Sequence, residues 1–385
     1  NYDADGRVSW MIKQVNGLGV KTVDYTYDGK GNVVKVDYQK DIAAERFTHE
    51  YEYDADNRLE VVYTSTATSG RKEQARYYYY LHGPLKRVEL AENLQGIDYT
   101  YTPQGWLKAI NHPDQSIDPG KDGASNNFAP DAFGMTLEYF NGDYSRSNTG
   151  INSLATNNPK TYYNGNIAAQ SWRSTKPQTI VNTYPGVNNP AMFTYEYDDK
   201  YQFEANKYGA PNFGSNSFTE AVNQNREYGL TYDANGNILS LNRTNSAGNT
   251  TNLGYHYQEN TNKLSSVDNY GSYQYDDLGQ MIAQIKGTNG FYLDYDVSGK
   301  VTAVYKDASR TLRYLSFKYD ESGNRICKTD ENNISTYYVY DASGNVLSIY
   351  DNNGTALTQK EVPVYASGRI GMYSRAANSY QYELT

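Results

Sequence analysis

The sequence predicts an all-β protein: a long antiparallel strip of repeated β-hairpins, spiralling into a hollow shell or part of one. Three observations carry that expectation. The string Tyr-Asp-x-x-Gly recurs along the chain, apolar residues alternate at period two around it, and tyrosine stands where aliphatic residues would normally be. Of 385 residues 42 are tyrosine, against 10 phenylalanine and 3 tryptophan, and mean hydropathy is −0.81. Aliphatic residues are too thinly spread for a thick dry core, yet aromatic and β-branched residues are too common for a disordered chain. Tyrosine suits a pleated surface, burying its ring while its hydroxyl stays wet.

The repeat sets the elements. Its full copies join Tyr2, Asp3 and Gly6; Tyr27, Asp28 and Gly31; Tyr232, Asp233 and Gly236; and Tyr275, Asp276 and Gly279. Four more join Tyr295, Asp296 and Gly299; Tyr319, Asp320 and Gly323; Tyr340, Asp341 and Gly344; and Tyr350, Asp351 and Gly354. Degenerate copies start at Tyr53, with Asn57 in the glycine slot, at Tyr101 and at Tyr197, and looser variants at Tyr80 and Tyr257. Upstream, pairs such as Tyr25 and Tyr27, or Phe317 and Tyr319, place rings on one face of a strand. The aspartate opens a turn by accepting a backbone N–H two residues on. The glycine takes the left-handed conformation that ends a type I turn with a bulge, which asparagine also tolerates. The turn residues are therefore structural, and no chemistry is assigned to them.

Successive copies lie mostly 18 to 27 residues apart, the length of one hairpin with its turns. With strands of about eight residues, the chain gives on the order of 25 to 30 strands and a strip roughly 120–140 Å long at ~4.8 Å spacing. A sheet that size cannot stay flat, so it must curl, split or close.

The expected organisation is hairpins over residues 1–110, a loop-rich interruption with a few strands over 111–190 as part of the same shell, and hairpins again over 191–385. The interruption is rich in Pro, Gly, Asp and Asn, with FGMTLEYF and NIAAQSWRSTKP reading as strands inside it. The chain opens inside a repeat without methionine and ends at YQYELT, which reads as an excised piece of a longer protein.

Net charge is −9 with both signs interspersed, which argues against a nucleic-acid partner. No stretch approaches ~20 apolar residues, so no membrane span is expected. Cys327 is the single cysteine, which rules out an internal disulfide. The histidines His49, His82, His112 and His256 lack metal-ligand spacing, and Cys327, although near Arg325 and Lys328, has no marked histidine partner. His112 near Asp114 reads as a loop histidine, and the pairs Asp198-Asp199 and Asp276-Asp277 fall in turns. No catalytic, metal or cofactor residue is therefore assigned, and the chain is expected not to be an enzyme.

The Tyr-Asp-x-x-Gly-Asn series resembles the YD repeats of the RHS-repeat family, known from bacterial polymorphic toxins, insecticidal toxin-complex C components and animal teneurins. Beyond the repeats, GWLKAIN at Gly105, DAFGMTLEY at Asp131 and YNGNIA at Tyr163 are similar to the middle of large RHS proteins, particularly those of Bacteroidota. VYASGRIGMY from Val364 resembles the approach to the end of an RHS core. The resemblance implies a hollow shell enclosing the polypeptide's own downstream C-terminal region. In that family the region is often a toxin released by self-cleavage. The aspartate-containing cleavage motif is not in this sequence, so any protease or toxin chemistry is expected beyond residue 385. The resemblance also implies bacterial origin, a secreted or cell-surface location and a secretion machine as partner, with type IX export as an association. The alternative reading is a secreted adhesin that binds glycans through exposed rows of tyrosine.

Overall fold

A computed structural model describes residues 1–124, 126–145, 150–156, 161–175 and 185–384. Among the described residues there are 29 strands, arranged as a 14-stranded sheet from Trp10–Val15 to Ser217–Glu220 and a 15-stranded sheet from Arg226–Tyr232 to Ser379–Tyr382. Within each sheet the spatial order is the sequence order, and every pairing is antiparallel between neighbours. Among the described residues the one helical element is a single 3₁₀ turn, Gln115–Ile117, and no helix is long and apolar enough to cross a membrane. The strand count falls in the range expected from the repeat length.

The repeat motif builds the turns atom by atom. At Asp28, Oδ1 accepts the N–H of Lys30 at 2.8 Å and of Asn32 at 2.9 Å, while Oδ2 accepts the Asn32 side chain at 2.8 Å. The Gly31 N–H closes back on the Asp28 carbonyl at 3.1 Å, with Gly31 at φ +94°. Asp233, Asp320 and Asp341 repeat this set with Asn237, Asn324 and Asn345. The residue after the glycine is thus part of the turn. Where asparagine is missing, Arg7 and Arg58 bring a guanidinium to Asp3 and Asp54 instead. Asn57 takes the glycine slot at φ +67°, and Tyr201 does so at φ +62° in the degenerate copy at Tyr197. The register shifts by a bulge at the motif tyrosine itself, as at Tyr27, Tyr53, Tyr295, Tyr319 and Tyr340.

One copy departs from this geometry. Tyr350 and Asp351 lie within the strand Val346–Asn352, opposite Tyr337 and Thr336, rather than at a turn. The turn follows them, with Asn353 Oδ1 accepting the N–H of Thr355 and Ala356 and Gly354 at φ +87°. The cause is spacing. Tyr350 comes one strand length after the turn at Tyr340, so its turn lies at the opposite end of the hairpin, and strand alternation sends its ring inward.

The chain divides into two compact units: residues 1–77, 90–92 and 274–385, and residues 78–89 and 93–273. Neither 110 nor 190 is a boundary between them; the described part of 111–190 lies wholly in the second unit. Its strands Phe133–Glu138 and Ala169–Ser174 pair with each other and with their sequence neighbours Leu107–Ile110 and Ala191–Tyr197.

The first unit brings strands from both ends of the chain together. Val15, Val23, Val36 and Tyr38 pack on Cys327, Tyr337, Val339, Leu347 and Tyr350, and Phe47 packs on Val362, Val364 and Tyr373. A Cβ on Gly17, at φ +90°, would sit 2.2 Å from the Tyr337 hydroxyl, so glycine is needed there for close approach. In the second unit the apolar clusters are small. Leu154 and Met192 meet Ala169 and Phe218, and Tyr144 and Ile151 cover Ala109.

Candidate functional site

The motif tyrosine forms the most regular feature of the molecule. The hydroxyls of Tyr27, Tyr53, Tyr197, Tyr257, Tyr295, Tyr319 and Tyr340 donate to the carbonyls of Val8, Val33, Ile167, Ile238, Met281, Val301 and Arg325 at 2.6–3.0 Å. Tyr232 does the same to Phe203, and Tyr139 to Leu107. Every acceptor lies two residues beyond the left-handed residue of an earlier turn. Each repeat is thereby bolted to its predecessor, side chain to backbone. Composition alone reads these hydroxyls as wet; instead they satisfy carbonyls where the bulge interrupts the ladder. Replacing Tyr27 or Tyr319 by phenylalanine should each cost about 0.5–1.5 kcal/mol, and the two losses should add because the sites share no partner. Urea unfolding midpoints of the two single variants and the double variant check this.

Between the two ends of the chain in the first unit lies a buried polar knot. Tyr38 and Tyr350 hydroxyls meet at 2.7 Å, Tyr350 donates to Glu45 at 2.5 Å, and Lys21 reaches the same Glu45 oxygen at 2.5 Å. The Lys21 ammonium also sits 4.5 Å from the Tyr350 ring centre. Desolvation drives the Tyr350 hydroxyl far above its usual range, and although burial opposes it, the pull of Lys21 holds Glu45 below the usual carboxylate value. Further along, Thr64 meets Tyr380 at 2.9 Å, Arg375 donates to the Arg46 carbonyl at 2.6 Å, and Tyr382 donates to Gln74 at 2.5 Å.

His49 belongs to the same seam. Its ring is buried between Phe47 and Tyr51, and its Nε2–H donates to the Pro363 carbonyl at 3.2 Å. Burial pulls its pKa down to about 4. The folded imidazole therefore stays neutral where the unfolded one takes a proton near 6.5, and stability is lost as pH falls from 6.5 towards 4. At pH 5 the loss should reach about 2 kcal/mol, and His49→Phe should remove that part of the pH dependence in urea titrations at pH 7.5 and 5.

The second unit carries two ionic centres that the sequence did not reveal. Lys108, with no exposed surface, donates to Glu138 at 2.6 Å, Asp143 at 2.9 Å and the Leu137 carbonyl at 2.8 Å. Asp143 accepts the Tyr139 N–H and Glu138 accepts the Leu154 N–H, so the centre pins the interruption to its strands. Burial raises Glu138 to about 7 against the pull of Lys108. The other centre is Arg87, which bonds Glu89 at 3.0 Å, Asp122 at 2.8 Å and also Asp98. A Cβ on Gly96 or Gly120 would strike this network at 2.0–2.4 Å. A groove of about 560 Å³ beside it is lined by Tyr80, Lys86, Asp98, Tyr99, Asp118 and Tyr144, among others.

The remaining sequence candidates are dispersed. His112 is buried against Phe213, with Nδ1 accepting the Asp114 N–H at 3.0 Å, and burial lowers it to about 4. His256 is exposed and pairs with Asp268 at 2.9 Å, while His82 stacks on Tyr80. Cys327 is buried on Tyr337 and Val339. Asp198 and Asp276 serve turns. The described residues thus bring none of the histidines together with Cys327.

Sequential hairpins, many of them tied to an earlier one by a tyrosine hydroxyl, define a β-hairpin repeat fold. The Teneurin YD-shell family model matches residues 212–381. The chain is 16% identical to a chain of the Tc holotoxin pore of Photorhabdus luminescens, covering 96% of this chain and 17% of that one, with a TM-score of 0.63. Against the crystal structure of TcdB2-TccC3-TEV the identity is 16%, the coverage 100% and 18%, and the TM-score 0.68. A curated relative, the tRNA3(Ser)-specific nuclease WapA of Bacillus spizizenii, is 29% identical over 153 residues, which is 40% of this chain and 6% of WapA. The chain therefore spans a small fraction of each of these relatives. Residues 212–381 thus match a YD-shell family model, and the chain as a whole has the fold of the corresponding part of those toxin chains.

Proposed function

We propose that this chain is a non-enzymatic wall segment of an RHS-type shell, and that the shell sequesters a C-terminal effector region of the same polypeptide. The observation that carries the reading is the match along the whole chain to the Tc toxin structures. The tyrosine bolts support it, because a wall built of successive repeats needs each repeat fixed to its neighbour. Bacterial origin, export from the cell and a secretion machine as partner belong to the same proposal. The glycan-adhesin alternative is weakened by those bolts, since the repeat tyrosines that would form its binding rows donate their hydroxyls to backbone carbonyls.

Limited proteolysis of the natural gene product tests the idea. A C-terminal region inside a closed wall should resist cleavage until the wall itself is cut or unfolded. Release of that region at protease levels that leave the wall intact would overturn the proposal.

A further inference from the structure

We propose that Asp118 and Asp131 are the carboxylate ligands of a divalent cation, calcium by chemistry, which ties together the two ends of the loop between the strands Leu107–Ile110 and Phe133–Glu138 of the second unit. The argument starts from charge. Five carboxylates, those of Glu89, Asp98, Asp118, Asp122 and Asp131, gather about Arg87, whose guanidinium is engaged by Glu89, Asp98 and Asp122. Among the described residues, Asp118 and Asp131 have no cationic partner. Lys86 and Lys121 line the adjoining groove, but no ion pair joins either of them to these two aspartates.

Burial makes that arrangement costly. Asp131 is 2% exposed, and neither of its carboxylate oxygens has a donor. Asp118 is 7% exposed; its Oδ2 takes the Asp122 N–H at 2.8 Å, and its Oδ1 has no donor. Two like charges forced together out of water need either a proton or a cation. One shared proton supplies one donor, bridging two oxygens and leaving the third bare. A cation engages all three.

The donor set selects the ion. The three unengaged atoms are carboxylate oxygens, which suit a hard cation rather than zinc or copper. Among the described residues no three His, Cys, Asp or Glu side chains converge as a complete cage. The remaining positions therefore fall to backbone carbonyls and water, an irregular shell that calcium accepts and magnesium does not. Asp118 also lines the groove of about 560 Å³, which supplies an entry path.

Calcium and terbium are the probes. Adding 1 mM calcium to EDTA-treated protein should raise its melting temperature by several degrees. Terbium should luminesce on tyrosine excitation, because Tyr99 and Tyr144 line the same groove. Asp131→Asn should weaken calcium binding at least tenfold, roughly the smallest loss expected for removing one carboxylate from such a site. In EDTA that variant should melt no lower than the wild type, since the repulsion is gone; Asp118→Asn serves as a second test if Asp131→Asn fails to fold. No thermal response to calcium, or a response unchanged in the aspartate variants, would overturn the assignment.

Discussion

Replacing Lys108 by methionine is expected to destabilise the protein by about 3–5 kcal/mol, the loss typical of breaking a buried ion pair by removing one partner. The lysine stem fills a site with no solvent exposure, and methionine keeps most of that volume. What disappears is the charge shared by Glu138 and Asp143, both fully or almost fully buried. Two carboxylates then face each other, and the Glu138 oxygen that accepts Lys108 and the Leu154 N–H loses its strongest partner. The triple variant Lys108→Met, Glu138→Gln, Asp143→Asn should recover much of the loss, because it removes the uncompensated charge. Urea unfolding of the three proteins measures both effects. A single variant within about 1 kcal/mol of wild type would mean that the centre is solvated and not a pin for the interruption.

Phe47→Ala should cost a similar amount, about 3–5 kcal/mol, through a cavity rather than a charge. Phe47 is fully buried, and its ring lies 5.6 Å from that of Tyr373, with Val362 and Val364 completing the cluster. The strand Phe47–Tyr53 comes from the first part of the chain, whereas Leu357–Tyr365 and Arg369–Ser374 come from the last. Deleting the ring therefore loosens the first unit at the place where the two ends of the sequence meet. Hydrogen exchange should accelerate at the amides of Val362 and Val364 before it does so elsewhere. Val297→Ala, at a fully exposed turn position, should change stability by no more than about 0.5 kcal/mol and serves as the control.

The hairpins were legible in the sequence because their determinants are local. Aspartate, glycine and the alternating rings act within one repeat, so Asp320 and Gly323 announce their turn without knowledge of the rest of the chain. The tyrosine bolts were not read, because donor and acceptor belong to different repeats. A signal was present nonetheless: phenylalanine would pack as well at those positions, yet tyrosine outnumbers it by 42 to 10. The inward position of Tyr350 is legible in the spacing as well. A motif ten residues after Tyr340 is too close to mark a turn at the same end of the hairpin. Lys108 could not have been found, because its partners lie 30 and 35 residues away across the interruption. In GWLKAIN it reads as an ordinary polar position on a strand. The same holds for Asp118 and Asp131, whose meeting depends on how an irregular loop folds back.

The most direct measurement is cryo-electron microscopy of the natural, uncut gene product that carries this chain. The proposed role predicts a closed wall of YD repeats with additional density inside it, attributable to the polypeptide's own C-terminal region. An open strip, or a closed wall with that region lying outside, would contradict it.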